Sequence, residues 1–488
     1  MTNIFRKMTF RGGIYTPEEK DRTKGLPIQT APLPPKVVIP LSQHAGTVCE
    51  PVVNKGDVVK KGQKIGEGKG PVTSTVHSSL SGKVVDISPH PHPFGSSVLS
   101  VVIESDGKDE WTPALEVNED YLSFDTQKLK EIVREAGIVG LGGAQFPTHV
   151  KLSPPDGNGI EYVILNGAEC EPFITSDHRL MVEKSSEIIE GLNIIIKILS
   201  AKKGFIGIEK NKPDAISVMK AHINPPTHPP DGCPTPFNKG GQGGFEVVGL
   251  NIKYPQGSEK QLIKSILNRE VPADKLPIDI GVVVNNVGTA YAVYEAVRYG
   301  KPLIERVITI TGNGVKEPRN LLVRIGTSFD FLIQNCGGFA GEPEKVIMGG
   351  PMMGIAQYTL DVPVIKGTSG IVVFLKESTS PHPSLQRWGL RGGEYLPCIR
   401  CGRCIDSCPM GISPNLYGLY AERDMIEGGR DFIDEAQKWD VMDCIECGIC
   451  SYVCPSNRPL VQFIKYLKSE VKKKNKEWKK IKNRKSSF

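Results

Sequence analysis

The chain has 488 residues, 23% charged and 39% hydrophobic, as expected for a globular protein of two to four domains. No run of about 18 apolar residues occurs, which excludes a membrane-spanning helix. The formal charge of +6 is uneven: residues 465–488 hold eleven Lys or Arg against two Glu, so this tail carries +9 and the rest of the chain −3. No basic surface with interleaved aromatics is visible beyond the tail, which argues against nucleic acid. The opening residues MTNIFRKMTFRGG lack the apolar centre of a signal peptide, so the chain is expected in the cytosol, where clustered cysteines are ligands or catalytic groups.

Residues 1–35 are rich in Pro and Gly and are expected to be extended. Residues 36–108 read as short strands broken by Gly, Asn-Lys-Gly and Pro signals. Here GDVVKKGQKIGE and VHSSLSGKVVDI resemble the two half-motifs of a biotinyl/lipoyl-type barrel-sandwich hybrid. In such carriers a lysine stands about eleven residues before the glycine matching Gly82. Pro71 occupies that position and Lys69 is out of register, so the module reads as structural. The sequence HPHP at 90–93 reads as a proline-rich turn and not as a metal site.

Residues 125–137, DTQKLKEIVREAG, place Leu129, Ile132, Val133 and Ala136 on one helical face, with Asp125 as N-cap and Gly137 as the stop. The loop GIVGLGGAQFP follows. A Rossmann fingerprint needs a strand before its glycines, and here a helix precedes them, so that reading fails. Taken alone, the loop is a glycine-rich turn. From there to about 302 helical and strand patterns alternate, as in an α/β domain.

The company of the loop points further. In order come GLGGAQFPTHVKL, NGAECEP, YPQGSEKQLIKSI and VVNNVGTAYAV. Together they resemble the flavin- and NADH-binding subunit of respiratory complex I, with a non-Rossmann FMN site. The resemblance implies an FMN/NAD(H)-binding α/β domain over 120–302. Gly140, Gly142, Gly143 and Gly257 would let backbone approach the ring or phosphate. Lys151 would face the phosphate. Asn166, Asn285 and Asn286 would serve the ring edge and ribityl hydroxyls. Glu169, Glu171 and Glu259 would accept from ribose or nicotinamide, beside Phe146. The sequence departs from that pattern at Leu141 (for arginine), Gln145 (for glycine), Ser258 (for glutamate) and Pro154-Pro155 (for an aromatic).

Residues 303–365 look like a small β-grasp module of the SLBB type. Residues 413–440 read as two helices separated by Gly428-Gly429, with Leu416, Leu419 and Tyr420 on one face of the first. They lie within an α-helical domain over 390–462 that contains CIRCGRCIDSCP and CIECGICSYVCP. Each is C-x2-C-x2-C-x3-C-P, too dense for one tetrahedral zinc, which uses paired C-x2-C units. Disulfides are disfavoured in the cytosol. The pattern is that of bacterial ferredoxins with two 4Fe-4S clusters. It implies a crossed ligand set: Cys398, Cys401, Cys404 and Cys454 for cluster one, and Cys444, Cys447, Cys450 and Cys408 for cluster two. Cys49, Cys170, Cys233 and Cys336 read as reduced structural thiols. The tail at 463–488 reads as solvated chain, as a contact for anionic lipid, or as a dock for an acidic partner.

The order of parts, from FRGGIYTPEEKDRTKGLPIQTAPLPPKVVIPLSQHAG to the paired cysteine motifs, resembles the C subunits of Rnf-type ion-translocating ferredoxin:NAD+ oxidoreductases over about residues 5–465. The related sodium-pumping quinone reductase subunit lacks the cluster motifs. The resemblance implies a peripheral subunit on the cytoplasmic side of the cell membrane. Its partners would be a ferredoxin-like subunit and integral membrane subunits. Electrons would pass between NAD(H), FMN and two 4Fe-4S clusters. Two other readings remain: a cluster-carrying docking subunit without flavin, and a soluble NADH-dependent oxidoreductase.

Overall fold

A computed structural model describes residues 8–112, 115–155, 159–223, 244–376, 395–428 and 430–485, with backbone alone at 430 and 477–485. Cys233 and the first residues of the domain expected at 390–462 lie outside the described residues.

The first strand, β1 (Ile28–Thr30), belongs to a sheet formed much later in the chain. Strands β2 (Lys36–Pro40), β3 (Glu50–Pro51), β4 (Val58–Val59), β5 (Lys64–Glu67), β6 (Val76–His77), β7 (Gly82–Pro91) and β8 (Ser97–Ser105) build two facing sheets, ordered β2-β8-β7-β4 and β3-β5-β6. Alternate residues such as Val37 and Ile39, or Val101 and Ile103, point into their shared core. A Cβ at Gly82 would lie 1.8 Å from the Glu104 carbonyl oxygen, so only glycine allows this register. Lys69 is exposed and paired with Glu50 at 2.8 Å. In the HPHP turn, His92 bonds the Ser42 carbonyl and the Phe94 amide.

The next domain contains α1 (Thr126–Glu135), α2 (Thr148–Lys151), β9 (Tyr162–Gly167), α3 (Ser176–Glu183), α4 (Ser185–Leu199), β10 (Lys203–Glu209), α5 (Pro213–Ile223), β11 (Phe245–Leu250), α6 (Glu259–Leu267), β12 (Val282–Asn286) and α7 (Val287–Tyr299). Asp125 caps α1 by accepting from the Lys128 amide at 2.7 Å, and Gly137 ends the turn at φ +66°. The four strands are parallel in the order β11-β10-β9-β12. One face is covered by α1, α4 and α7 through Leu129, Ile188, Leu192, Val293 and Val297. The other is covered by α6 through Leu262, Ile263 and Ile266. After β9 the chain winds to β10 and β11, then crosses to place β12 on the opposite side of β9. The ends of β9 and β12 therefore form a topological switch point, where open parallel sheets bind ligands.

A mixed sheet follows, made of β13 (Glu305–Thr311), β14 (Arg319–Arg324), β15 (Pro343–Met348), β16 (Ile355–Ala356) and β17 (Gly370–Leu375), with α8 (Phe329–Asn335) packed on it. Its order is β1-β14-β13-β17-β15-β16. The expected limits of 303–365 are thus too narrow. The fully buried run Ile371–Phe374 inserts between β13 and β15, and the N-terminal segment supplies an edge.

That N-terminal segment is a strap across three modules. The Gly13 amide donates to Ser407, Ile14 and Tyr254 exchange backbone bonds, and Phe173 donates to Glu18. Asn320, fully buried on β14, donates to the carbonyls of Thr23 and Leu26 and accepts from Thr175 and Thr309.

The last domain is helical: α9 (Arg403–Asp406), α10 (Pro414–Glu427), α11 (Arg430–Lys438), α12 (Ile449–Tyr452) and α13 (Leu460–Lys485). Two expectations change here. The buried face of α10 is Pro414, Tyr417, Gly418 and Ala421, while Leu419 is exposed. A Cβ at Gly418 would sit 2.7 Å from Leu460, so close approach of α13 at this glycine decides the face. The basic tail is not a separate segment. It continues α13, whose first half buries Phe463, Ile464, Leu467 and Val471.

Asn320→Ala should leave two strap carbonyls and two hydroxyls short of a partner, destabilising by about 2–3 kcal/mol. Limited trypsin digestion should then cut the strap at Arg22 or Lys24 sooner than in the unmodified protein. An unchanged digestion pattern would contradict this role.

Candidate functional site

Asn166 near the end of β9 pairs in register with Asn286 at the end of β12, with Asn285 beside it. Asn166 donates to the Gly257 carbonyl at 2.7 Å and accepts from the Ala168 amide. Asn286 caps α7 by accepting from the Gly288 amide at 2.8 Å and donates to Asp177 at 2.6 Å. Gly142 lies over Asn286, where a Cβ would be 3.4 Å from the asparagine Cβ. Gly143, at φ +114°, has open space where a Cβ would stand. Gly140 donates to the Phe146 carbonyl, which closes the loop, and the Phe146 ring is partly exposed.

Asn285 is buried and its Nδ2 donor has no partner. A buried orphan donor is costly, and a ligand carbonyl at the switch point would satisfy it. Together with the open glycine loop, this donor set fits the edge of a flavin ring. Lys151 ends α2 and reaches Glu259 in the first turn of α6 at 2.7 Å, both side chains about a third exposed. A phosphate would compete with Glu259 for this lysine.

The structure places Glu169 and Glu171 elsewhere than expected. Glu169 turns inward, accepting from the amides of Asp177 at 2.7 Å and His178 at 3.1 Å, and so caps α3. Burial pushes its carboxyl up to about 7 against the pull of Lys20. Glu171 accepts from the amides of Met352 at 3.1 Å and Met353 at 2.9 Å. Burial raises it likewise to about 7, opposed by those amides. Both carboxylates are thus engaged by backbone amides of the protein. Burial of this kind has no mark in a one-dimensional pattern.

Sequence reasoning missed Tyr254. Its hydroxyl donates to the Cys447 carbonyl at 2.8 Å and lies 3.4 Å from Glu171. It packs with Cys170, Met352 and Ile449, and the Cys170 sulfur accepts from the Gly257 amide at 3.4 Å. A tyrosine three residues before the glycine of YPQGSEK was the available signal. Crevice and cysteine site thus share a wall.

The two cysteine runs have the same backbone. Arg400 and Gly402 are left-handed at φ +57° and +77°, and Glu446 and Gly448 repeat this at +57° and +79°. Gly411 and Asn457 repeat it again after each fourth cysteine, at +69° and +50°. In each run one amide reaches back to the first sulfur, Arg400 to Cys398 at 3.4 Å and Glu446 to Cys444 at 3.3 Å. Such N–H···S bonds favour thiolate ligands and help set cluster potential.

A small apolar pocket is lined by Cys404 and Cys408 of the first run and by Cys444, Cys447 and Cys450 of the second. Burial pushes the Cys447 thiol up to about 12, followed by charge on Cys444 and Cys408. Cys404 is raised by burial first and then by Cys454 and Cys398. The cysteines of the two runs therefore lie close enough to feel one another's charge, Cys404 with Cys454 and Cys447 with Cys408. Among the described residues no trio of His, Cys, Asp or Glu closes to the spacing of a single metal ion. In the second set Cys447 and Cys450 are buried and Cys408 and Cys444 half-buried, whereas Cys398 and Cys401 are exposed.

Relatives extend over almost the whole chain. The C subunit of the proton-translocating ferredoxin:NAD(+) oxidoreductase complex of Clostridium ljungdahlii is 45% identical, over 95% of this chain and 94% of that one. The C subunit of the Na(+)-translocating complex of Acetobacterium woodii is 44% identical, over 95% and 97%. The chain belongs to the family of C subunits of ion-translocating ferredoxin:NAD(+) oxidoreductase complexes. Within this C-subunit chain, residues 8–108 match the RnfC barrel sandwich hybrid domain and 133–295 the Nuo51 FMN-binding domain. Residues 307–356 match the SLBB domain and 394–455 a 4Fe-4S dicluster domain. FMN and two 4Fe-4S clusters are the cofactors of these parts. A solved NAD+-reducing [NiFe]-hydrogenase chain is 17% identical with a TM-score of 0.48, over 70% of this chain and 62% of that one. No helix among the described residues is long and apolar enough to cross a membrane.

Two outcomes follow from the geometry. Cys454→Ser should alter the EPR signal of the cluster held by Cys398, Cys401 and Cys404; loss of the other signal alone would overturn crossed ligation. Glu171 stands at about 7 against an ordinary 4.5, so the fold favours its neutral form. Its contribution to stability is full below the unfolded value and is lost as pH rises through about 7. Glu171→Gln should remove this dependence, changing the stability difference from the unmodified protein by roughly 1–3 kcal/mol between about pH 5 and about pH 8. Parallel pH–stability curves would show that Glu171 does not titrate there.

Proposed function

We propose that the chain is the NAD(H)-linked electron-transfer subunit of an ion-translocating ferredoxin:NAD(+) oxidoreductase, passing electrons between NAD(H), FMN and two 4Fe-4S clusters. The carrying observation is the hydroxyl of Tyr254 on the Cys447 carbonyl, which joins the flavin crevice to a cluster ligand. FMN, when bound, would accept an electron pair as one hydride and release the electrons singly, which the clusters alone cannot do. The protein binds, orients and excludes water. Gly140, Gly142, Gly143 and Gly257 give backbone access, Asn166, Asn285 and Asn286 address the ring edge and ribityl chain, and Phe146 flanks the crevice. Lys151 meets the phosphate once Glu259 releases it.

The order of stations is read from burial. The set Cys408, Cys444, Cys447 and Cys450 stands next to the crevice and is the inner cluster. The set Cys398, Cys401, Cys404 and Cys454 has two exposed thiols and is the outer one. An electron leaving the chain then departs from the outer cluster to a ferredoxin-like subunit. Ion movement belongs to integral membrane partners, with this chain peripheral on the cytoplasmic face. The sheet built on β13–β17 serves as a β-grasp spacer between flavin and cluster domains, and the basic end of α13 faces anionic lipid or an acidic partner.

One observation favours the alternative of a docking subunit without flavin: Lys151 is already paired with Glu259. Anaerobically purified protein separates the readings. Flavin absorbance that is bleached by NADH and released on denaturation supports the proposal. Asn285→Leu should lower flavin occupancy at least tenfold while leaving iron content unchanged. Full iron with no flavin in the unmodified protein would favour the alternative.

A further inference from the structure

We infer that Lys468 and Glu446 form a charge pair that sets the reduction potential of the inner cluster separately from the outer one. Lys468 lies on α13 and reaches back over the second cysteine run. Its ammonium donates to the Cys444 carbonyl at 2.8 Å and to the Glu446 carboxylate at 2.5 Å. The lysine side chain is 12% exposed and the glutamate 32%. Glu446 stands between Cys444 and Cys447, and its own amide bonds the Cys444 sulfur.

The comparison with the first run isolates the pair. Both runs share one backbone, down to the left-handed residues and the amide-to-sulfur bond. The side chain that differs in sign is the one between the first two cysteines: Arg400 in the first run, Glu446 in the second. The second run thus places an anion beside its sulfurs and answers it with a cation from a separate helix. A structural pin for α13 would need only the carbonyl contact. The carboxylate contact fixes a full dipole against a ligand.

One-electron reduction adds a negative charge to the cluster. A cation nearby favours that charge and an anion opposes it, more strongly where water is excluded. Cys447 and Cys450 are both 8% exposed, so screening at the inner set is weak. The two members of the pair therefore act in opposite directions on one cluster. At the outer set, Cys398 and Cys401 are open to solvent, so the pair is screened more strongly there.

The inference rests on the cluster ligands proposed above, and the test keeps the two apart. Redox titration of the full protein, followed by EPR, first counts the clusters in the unmodified chain. Fewer than two 4Fe-4S signals would remove the ligand reading and this inference with it. With two signals present, Lys468→Gln should shift the inner-cluster equilibrium about tenfold toward the oxidised form, about 59 mV downward for a one-electron couple. Glu446→Gln should shift the same signal upward by a similar factor, and Lys468→Arg should hold it near its original value. The outer signal should stay put in all three. If Lys468→Gln fails to assemble its inner cluster, Glu446→Gln decides, since it removes no donor to the Cys444 carbonyl. Shifts of the same sign, no shift, or equal shifts in both clusters would overturn the inference.

Discussion

A single buried carboxylate holds the three working modules at one point. Glu171 leaves the end of β9, takes the amides of Met352 and Met353 from the loop before β16, and stands against the Tyr254 hydroxyl that binds Cys447. Gly448 presses against the Met352 carbonyl from the other side, where a Cβ would come within 2.3 Å. If this junction loosened, flavin crevice and cluster cavity would no longer share a wall. The distance an electron must cross would then depend on loop motion instead of packing.

The junction explains the concentration of buried charge beneath the strand ends. Lys20 from the strap bonds the carbonyls of Glu169 and Ile174. Lys212 pairs with Glu209 and bonds the Ala168 carbonyl. Each buried charge there has a hydrogen-bonded partner, as burial demands. These groups fix the backbone on which Asn166 and Cys170 sit. The chemistry of the crevice is left to amide side chains and open backbone.

Much of the site was legible in one dimension because its logic is local. Eight cysteines at fixed spacing announce themselves by residue type, whereas the glycine loop and the three asparagines took their meaning from a family resemblance. What escaped depends on which surface meets which. Glu169 and Glu171 look like ligands in NGAECEP and become helix cap and module clasp only once buried. Leu416, Leu419 and Tyr420 form a fair helical stripe, yet Gly418 draws in α13 and turns the helix. Lys468 was one lysine in a basic tail until the helix placed it on Cys444. Strand β17 lies past the expected limit at 365, and its place in the sheet depends on its partners β13 and β15.

The crossing of the two cysteine runs bears on how the domain is made. In the crossed ligand set proposed for this chain, each run supplies three ligands to one cluster and the last to the other, so that neither set of four is complete until residues 398–408 and 444–454 have met. The helices between them, α10 and α11, must therefore dock on α13 before either cluster can be inserted. Once loaded, each cluster is a covalent tie between distant stretches of chain, and binding energy becomes folding energy. Oxidative loss at the exposed Cys398 and Cys401 would then strip a tie from both runs at once. Damage at the rim would then loosen the cluster domain as a unit, while the other domains keep their own cores.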